Sequence, residues 1–254
     1  MIGIAARSSI ALELNLQTTN YKVESKSNKA QKQLWWSIFF LEHRLSVMTN
    51  QVSCLGDSFC SAPPLLLFEE LDQFGYEQLA QKHTIQWIIC QRHEQNKPQQ
   101  TWLKNIALSP SLYFFYLVDL ALVAHAITNQ VYSTDIFQDD WSPIESQIRL
   151  HSNLMDQWVS GLYASFCFED ENGNIHPGSR SHYQVSLALN YYSARIILNW
   201  PCLTQPESDE KNSISFSHSR FGNNSALACL HASLLLVSVL SDQPDADWAY
   251  HVTL

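Results

Sequence analysis

The sequence predicts an all-α fold, an irregular bundle of helices joined by long loops. Apolar residues recur at steps of three and four in several segments, which is the period of an amphipathic helix. No segment shows sustained alternation of apolar and polar residues between Gly-rich turns, the pattern typical of paired strands. The chain has 254 residues, 46% hydrophobic and 15% charged, and can therefore bury a sizeable core. We expect one helical domain over residues 1–254.

Seven segments carry the helical pattern. Ser109-Pro110 and Ser142-Pro143 each have the order of a helix start, a capping Ser followed by Pro in the first turn. Polar composition, or the presence of Gly and Pro, predicts loops or turns over residues 50–68, 169–179 and 204–218. The predicted helices cover residues 5–16, 29–50, 69–94, 109–130, 144–168, 185–200 and 225–241.

The helix over residues 29–50 has the clearest pattern. Its predicted core-facing residues, at helical steps of three and four, are Leu34, Ile38, Leu41, Leu45 and Met48. Four neighbouring aromatic residues widen that face: Trp35, Trp36, Phe39 and Phe40. We therefore expect this helix to be buried over most of its circumference.

The charge balance argues against direct nucleic-acid binding by this chain. Fifteen basic residues face 24 acidic ones, for a formal net charge of −9. Proteins that bind the phosphates of nucleic acids usually carry clusters of Lys and Arg on the binding surface. The densest basic stretch here, typical of a solvated face, is only Lys22, Lys26, Lys29 and Lys32.

Membrane, metal and cofactor signals are weak. The longest apolar stretch, residues 112–127, contains Asp119 and His125 and is shorter than the roughly 20 residues of a spanning helix. We therefore expect no membrane contact. The six cysteines form no C-x-x-C pair and the ten histidines no H-x-x-x-H pair, so we expect free thiols and no metal site. A histidine such as His125, on an apolar helix, is expected to be a hydrogen-bonded core residue.

Catalytic motifs receive no support either. The sequence contains no G-x-S-x-G, P-loop or G-x-G-x-x-G motif. Asp139-Asp140 could suggest the magnesium site of a terpene cyclase, but Pro143 starts a helix where a third carboxylate would be needed. We interpret that pair as a loop or cap, and residues 170–174 as a surface turn. No catalytic residue is predicted.

Three stretches resemble one protein family. Residues 3–16 resemble the motif A-x-R-x-A-x-x-L-G-L, and residues 33–46 resemble R-x-L-W-W-x-x-x-x-x-D-R-x-x-S. Residues 189–198, with Pro201, resemble Y-x-x-x-R-I-L-L-x-x-P. In this order they are similar to the regulatory domain that follows the zinc binuclear cluster in fungal transcription factors. The signature positions, expected to be mainly structural, are Leu34, Trp35, Trp36, Glu42, Arg44, Ser46, Tyr192, Arg195 and Pro201.

The chain also departs from that family. Thr49-Asn50-Gln51 stands in place of Gly-Arg-Pro, and Asn15 in place of a Gly. Because the helices that usually come first and the cysteine-rich cluster are not in these residues, we expect a domain incomplete at its N-terminus. The resemblance implies that DNA binding and zinc belong to a separate cluster, with no cofactor in this chain.

The resemblance implies a role in transcription regulation and location in the nucleus, with the cytoplasm as the alternative. Expected partners are other proteins, namely a transcription factor, a co-regulator or a second copy of the chain, together with a small-molecule effector. Candidate effector-pocket residues are Trp36, Arg44 and Arg195. The alternative hypothesis is a shortened paralogue recruited as a cyclase- or isomerase-like pathway enzyme with a hydrophobic helical pocket.

Overall fold

A computed structural model gives the arrangement of the helices. It describes residues 2–16, 26–49, 51, 53–55, 110–132, 141–170, 173–175, 181–203 and 215–241. In chain order the helices are α1 (Ile2–Ala11), α2 (Lys26–Thr49), α3 (Pro110–Val131), α4 (Ser142–Ser160), α5 (His182–Asn199), a 3-10 helix (Trp200–Leu203) and α6 (Ser215–Ser241). The described residues contain no strand, only an isolated bridge between Glu169 and Ile175. The all-α prediction is confirmed.

The chain divides into two compact units, residues 1–122 and residues 123–254. Helix α3 begins in the first unit and ends in the second. The predicted helix over residues 69–94 lies outside the described residues, as do Asp139-Asp140 and most of the predicted loop 50–68. The expectation of one domain over the whole chain stays a prediction.

The core of the first unit is built on α2. Trp35, Trp36 and Phe39 point inward and pack with buried residues of α1, α3 and the segment after α2. The rings of Trp36 and Phe39 meet edge to face, with centroids 5.4 Å apart, a favoured aromatic geometry. The other buried members of this core are Ala6, Leu14, Leu55, Val118 and Ala121.

The prediction that the leucines of α2 face the core is wrong. Leu34, Leu41 and Leu45 are exposed, and Met48 is 72% exposed. The aromatic pair and Phe39 occupy the buried side instead, because large aromatic rings bury more apolar surface than leucine does at neighbouring positions. One face of α2 is therefore aromatic and buried, and the opposite, exposed face is apolar as well.

Helix α1 is shorter at its C-terminal end than predicted. It ends at Ala11 rather than Leu16, because Glu13 adopts a left-handed conformation with φ of +57°. The Leu14 N–H then donates to the Ser9 carbonyl (3.0 Å) and the Glu13 N–H to the Ile10 carbonyl (2.9 Å). This is a Schellman-type helix end, and it turns Leu14 into the core.

The second unit has an aromatic core between α4 and α5. Trp158 stacks on Tyr191 with ring centroids 5.8 Å apart, and Phe168 packs against Tyr191 and Tyr192. Phe168 was predicted to lie in a helix. Helix α4 instead ends at Ser160, where the Gly161 N–H bonds to carbonyls of the last turn. The following turns carry Phe168 back against α5.

Helix α6 is ten residues longer at its N-terminal end than the segment 225–241 predicted for it. It begins at Ser215, within the loop predicted over residues 204–218. Arg149 of α4 lies over the ring of Phe221, 4.2 Å from its centroid, which ties this early part of the helix to the unit. The polar composition of the preceding segment hid the helix start.

The turn after α4 is a surface turn, as predicted. Gly173 has a φ of +75°, a conformation that disfavours a side chain. The Asp170 carboxylate accepts from the Asn174 N–H at 2.9 Å, so its oxygen is used to close the turn.

The two faces of α2 predict different costs of truncation. Trp36→Ala removes a ring that is 2% exposed and should lower the free energy of unfolding by about 3–5 kcal/mol. Leu45→Ala removes a side chain that is 41% exposed and should cost less than about 1 kcal/mol. Urea denaturation of both variants checks this, and equal losses would contradict the assignment of the buried face.

Candidate functional site

Glu42 is the centre of the signature region. It lies on α2, is almost fully buried, and accepts hydrogen bonds from three residues. Ser46 Oγ donates from one turn further along the helix at 3.0 Å, and Ser53 Oγ donates at 2.7 Å. The Cys54 N–H and thiol donate at 2.8 and 3.1 Å. We call these four residues the Glu42 latch, since they fasten the segment after α2 to the helix.

The latch keeps Glu42 ionised. Burial alone would raise the pKa of this carboxyl, but the hydrogen bonds from Ser53, Cys54 and Ser46 outweigh it and lower the pKa below its usual 4.5. The same contact raises the pKa of the Cys54 thiol, mainly through its hydrogen bond to Glu42. Glu42 is thus a buried carboxylate whose oxygens accept hydrogen bonds, and each donor in the latch contacts a negative charge.

Removing the charge of Glu42 should destabilise the first unit. Glu42→Gln replaces one acceptor oxygen by an amide that faces donors, at an expected cost of about 2–4 kcal/mol. Because the folded pKa is lowered, the part of the stability that depends on the ionised carboxylate is present above pH 4.5 and is lost as the pH falls through the folded pKa. Thermal and chemical denaturation at pH 7 would measure it.

Two further substitutions test whether a loss of stability in Glu42→Gln comes from the latch rather than from any change of charge. Ser53→Ala removes one hydroxyl, which donates to Glu42 and accepts from the Leu55 N–H, and should cost about 1–2 kcal/mol. Glu13→Gln removes a charge at the exposed end of α1 and should leave stability nearly unchanged. A Glu42→Gln variant as stable as Glu13→Gln would show that the latch contributes nothing.

Arg44, two residues from Glu42, does not join the latch. It is half-buried, and its guanidinium lies 6.0 Å from the ring centroid of Phe40, one turn back on α2. Trp36 lies in the core of the same unit. Arg195 lies on α5 in the second unit. The effector pocket made of these three residues stays a prediction.

The second signature region forms a polar cluster at α5. The Tyr192 hydroxyl donates to Glu169 Oε1 at 2.8 Å, and Arg195 Nη1 donates to Asp156 Oδ1. Arg195 also lies over the ring of Tyr191. Burial raises the pKa of Glu169, while the Tyr192 hydrogen bond and the charge of Arg195 oppose the rise. Pro201 is buried in the 3-10 helix that follows α5.

Sequence reasoning missed the partners in both regions. Ser53, Cys54, Asp156 and Glu169 lie outside the matched motifs and are brought in by the fold. Tyr191 could have been found, because it precedes Arg195 by four residues and therefore shares its helix face.

Two buried histidines have structural surroundings. His125 Nε2 lies 3.0 Å from Asn129 Nδ2, and His151 Nε2 lies 3.1 Å from Gln130 Oε1. The interpretation of His125 as a hydrogen-bonded core residue is confirmed. Within the described ranges, no three His, Cys, Asp or Glu side chains are grouped as a metal site would need.

Asp119 is the most perturbed acid of the described residues. It lies in the middle of α3 and is buried, and among the described residues neither of its carboxylate oxygens has a hydrogen-bond partner. Burial raises its pKa from 3.8 to about 7. Such a carboxyl changes charge near neutral pH, which is a property of functional acids as well as of strained cores.

Asp119 should make stability fall with rising pH. The unfolded carboxyl ionises near pH 3.8 and the folded one near pH 7, so unfolding releases a proton between these values. Between pH 5 and pH 8 the parent should lose on the order of 3 kcal/mol. Asp119→Leu should remove this loss, and Glu13→Gln, at an exposed carboxyl, controls for the change in net charge. Urea denaturation at both pH values is the measurement; an unchanged slope in Asp119→Leu would refute the assignment.

Among the residues that the structure describes, two helices are long and apolar enough to cross a membrane, judged by length and composition. They are Leu112–Val131 in α3, mostly buried within the protein, and Arg220–Ser241 in α6, mostly exposed. The core helix of a globular protein meets the same criteria as a spanning helix. The expectation that the chain makes no membrane contact stays a prediction.

Comparison with known proteins gives a match to a fungal transcription regulator. The chain is 31% identical to transcription regulator galc of Aspergillus niger over 281 aligned positions, covering 99% of the chain. It is similar to a fungal transcription regulator. The chain spans 34% of that relative's length. No family model matches the chain, and no solved structure matches it.

Proposed function

We propose that the chain is a regulatory region of a fungal zinc-cluster-type transcription regulator. It acts in the nucleus through contacts with other proteins, with a small-molecule effector as a second input. DNA contact and zinc belong to a cluster outside these 254 residues. The similarity to a fungal transcription regulator along nearly the whole chain carries this proposal.

Three features of the molecule support it. The signature residues Glu42 and Ser46 are joined in one buried latch, so the motif corresponds to a defined structural unit. The formal charge of −9 disfavours phosphate contact by this chain itself. Exposed leucines on α2 and α6 offer apolar surface of the kind that proteins use to bind one another.

Tethering to a promoter tests the proposal. The 254-residue chain, fused to an unrelated DNA-binding domain, should change expression from a reporter gene in a fungal host several-fold. The DNA-binding domain alone is the control. Chromatin immunoprecipitation reports whether the fusion occupies the promoter, and unchanged expression at an occupied promoter would refute the regulatory role.

A further inference from the structure

Two buried cysteines of the second unit lie against the inner face of α6, the face that packs on α5. Ser225 and Cys229 are buried on that face and stand one helical turn apart. The Ser225 hydroxyl hydrogen-bonds the thiol of Cys202, which comes from the 3-10 helix after α5. Cys202 is 8% exposed and Cys229 is 2% exposed. The fold therefore brings two cysteines from separate elements to neighbouring turns of one helix face.

The last turn of α5 and Tyr132 complete this cluster. The Cys229 thiol lies 3.7 Å from the Ile196 carbonyl oxygen, and the Tyr132 hydroxyl donates to the next carbonyl, that of Ile197, at 2.5 Å. Burial raises the pKa of Tyr132, and the negative charge that either thiol would acquire raises it further. Both thiols therefore lie close to the same phenol.

The two thiols differ in how readily they lose a proton. Burial raises the pKa of Cys202, but the Ser225 hydroxyl opposes the rise because it can donate to the thiolate sulfur. Burial also raises the pKa of Cys229, and its thiol donates to a carbonyl, a contact that favours the neutral form. The thiolate is the form that attacks an oxidant. Cys202, the more exposed of the two, is therefore the one that reacts first.

We propose that Cys202 and Cys229 form a disulfide with each other when the protein meets a peroxide. The Cys202 thiolate attacks hydrogen peroxide; an S–O bond forms, the O–O bond breaks, and hydroxide leaves and takes up the thiol proton as water. The Cys229 thiolate then attacks the sulfur of this sulfenic acid. The S–S bond forms, the S–O bond breaks, and a second water leaves. Two thiols and one peroxide thus give one disulfide and two waters.

The bond joins the 3-10 helix to the middle of α6, two elements that packing alone holds together in the reduced chain. Both cysteines are free thiols in this structure. Disulfides in proteins of reducing compartments are uncommon, and those that occur are mostly transient and redox-sensing. The pair is therefore a reversible modification site for peroxide rather than a permanent cross-link.

Peroxide treatment of the full chain tests this proposal, which does not depend on a role in transcription. The reduced chain is incubated with excess hydrogen peroxide, its remaining thiols are blocked with N-ethylmaleimide in urea, and its peptides are mapped by mass spectrometry. We expect one peptide pair joined through Cys202 and Cys229, lighter by two hydrogens and separated by dithiothreitol. The linked fraction should grow faster as the pH rises above neutrality, because more thiolate is then present.

Matched variants separate this pair from general thiol oxidation. Cys229→Ala should leave Cys202 as a sulfenic acid, which dimedone traps. Cys167→Ser changes a third cysteine of the same unit and should leave the link unchanged. Oxidation in urea should scatter links among the six cysteines, because the fold creates the proximity. Survival of both thiols in peroxide, a Cys202 joined mainly to another cysteine, or the same pairing in urea as in the folded chain would overturn the proposal.

Discussion

A buried anion with four donors organises the first unit. Glu42 has lost nearly all contact with water, and a carboxylate in that position is tolerated only when its oxygens are satisfied. The donors from Ser53 and Cys54 come from beyond the end of α2, so satisfying the charge also fixes where the chain goes next. Leu55 follows at once and enters the core beside Trp35. One electrostatic requirement therefore sets the path of the chain and completes the aromatic core.

The sequence predicted which segments are helical better than which faces are buried. Period alone cannot choose between two apolar rows on one helix, and α2 and α6 each have two. On α2 the leucine row was taken as the core face, but the aromatic row is buried. The end of α1 was missed because it depends on the left-handed backbone of Glu13, which the sequence does not announce. The start of α6 was missed because the residues around Ser215 are polar and resemble a loop.

The candidate site was predictable only in part. Motif matching located Glu42, Ser46, Tyr192 and Arg195, all of which make specific polar contacts. Their partners come from segments without a recognisable pattern, because hydrogen bonds between distant residues depend on tertiary placement. Asp119 could not be predicted as a perturbed acid, for a different reason. Its sequence context reads as an apolar helix, and the perturbation of its pKa arises from burial that no local pattern reports.

The two faces of α6 make the helix sensitive to length as well as to composition. Each of the buried residues Gly222, Ser225, Cys229 and Ala232 lies five positions before an exposed apolar one, namely Leu227, Leu230, Leu234 and Val237. An insertion of two residues before Leu227 would turn the rest of the helix by about 200°. Leucines would then meet α5 where Cys229 and Ala232 now allow close approach, and the small residues would face outward. The packing of α6 on α5 would be lost, although every side chain in the helix was kept.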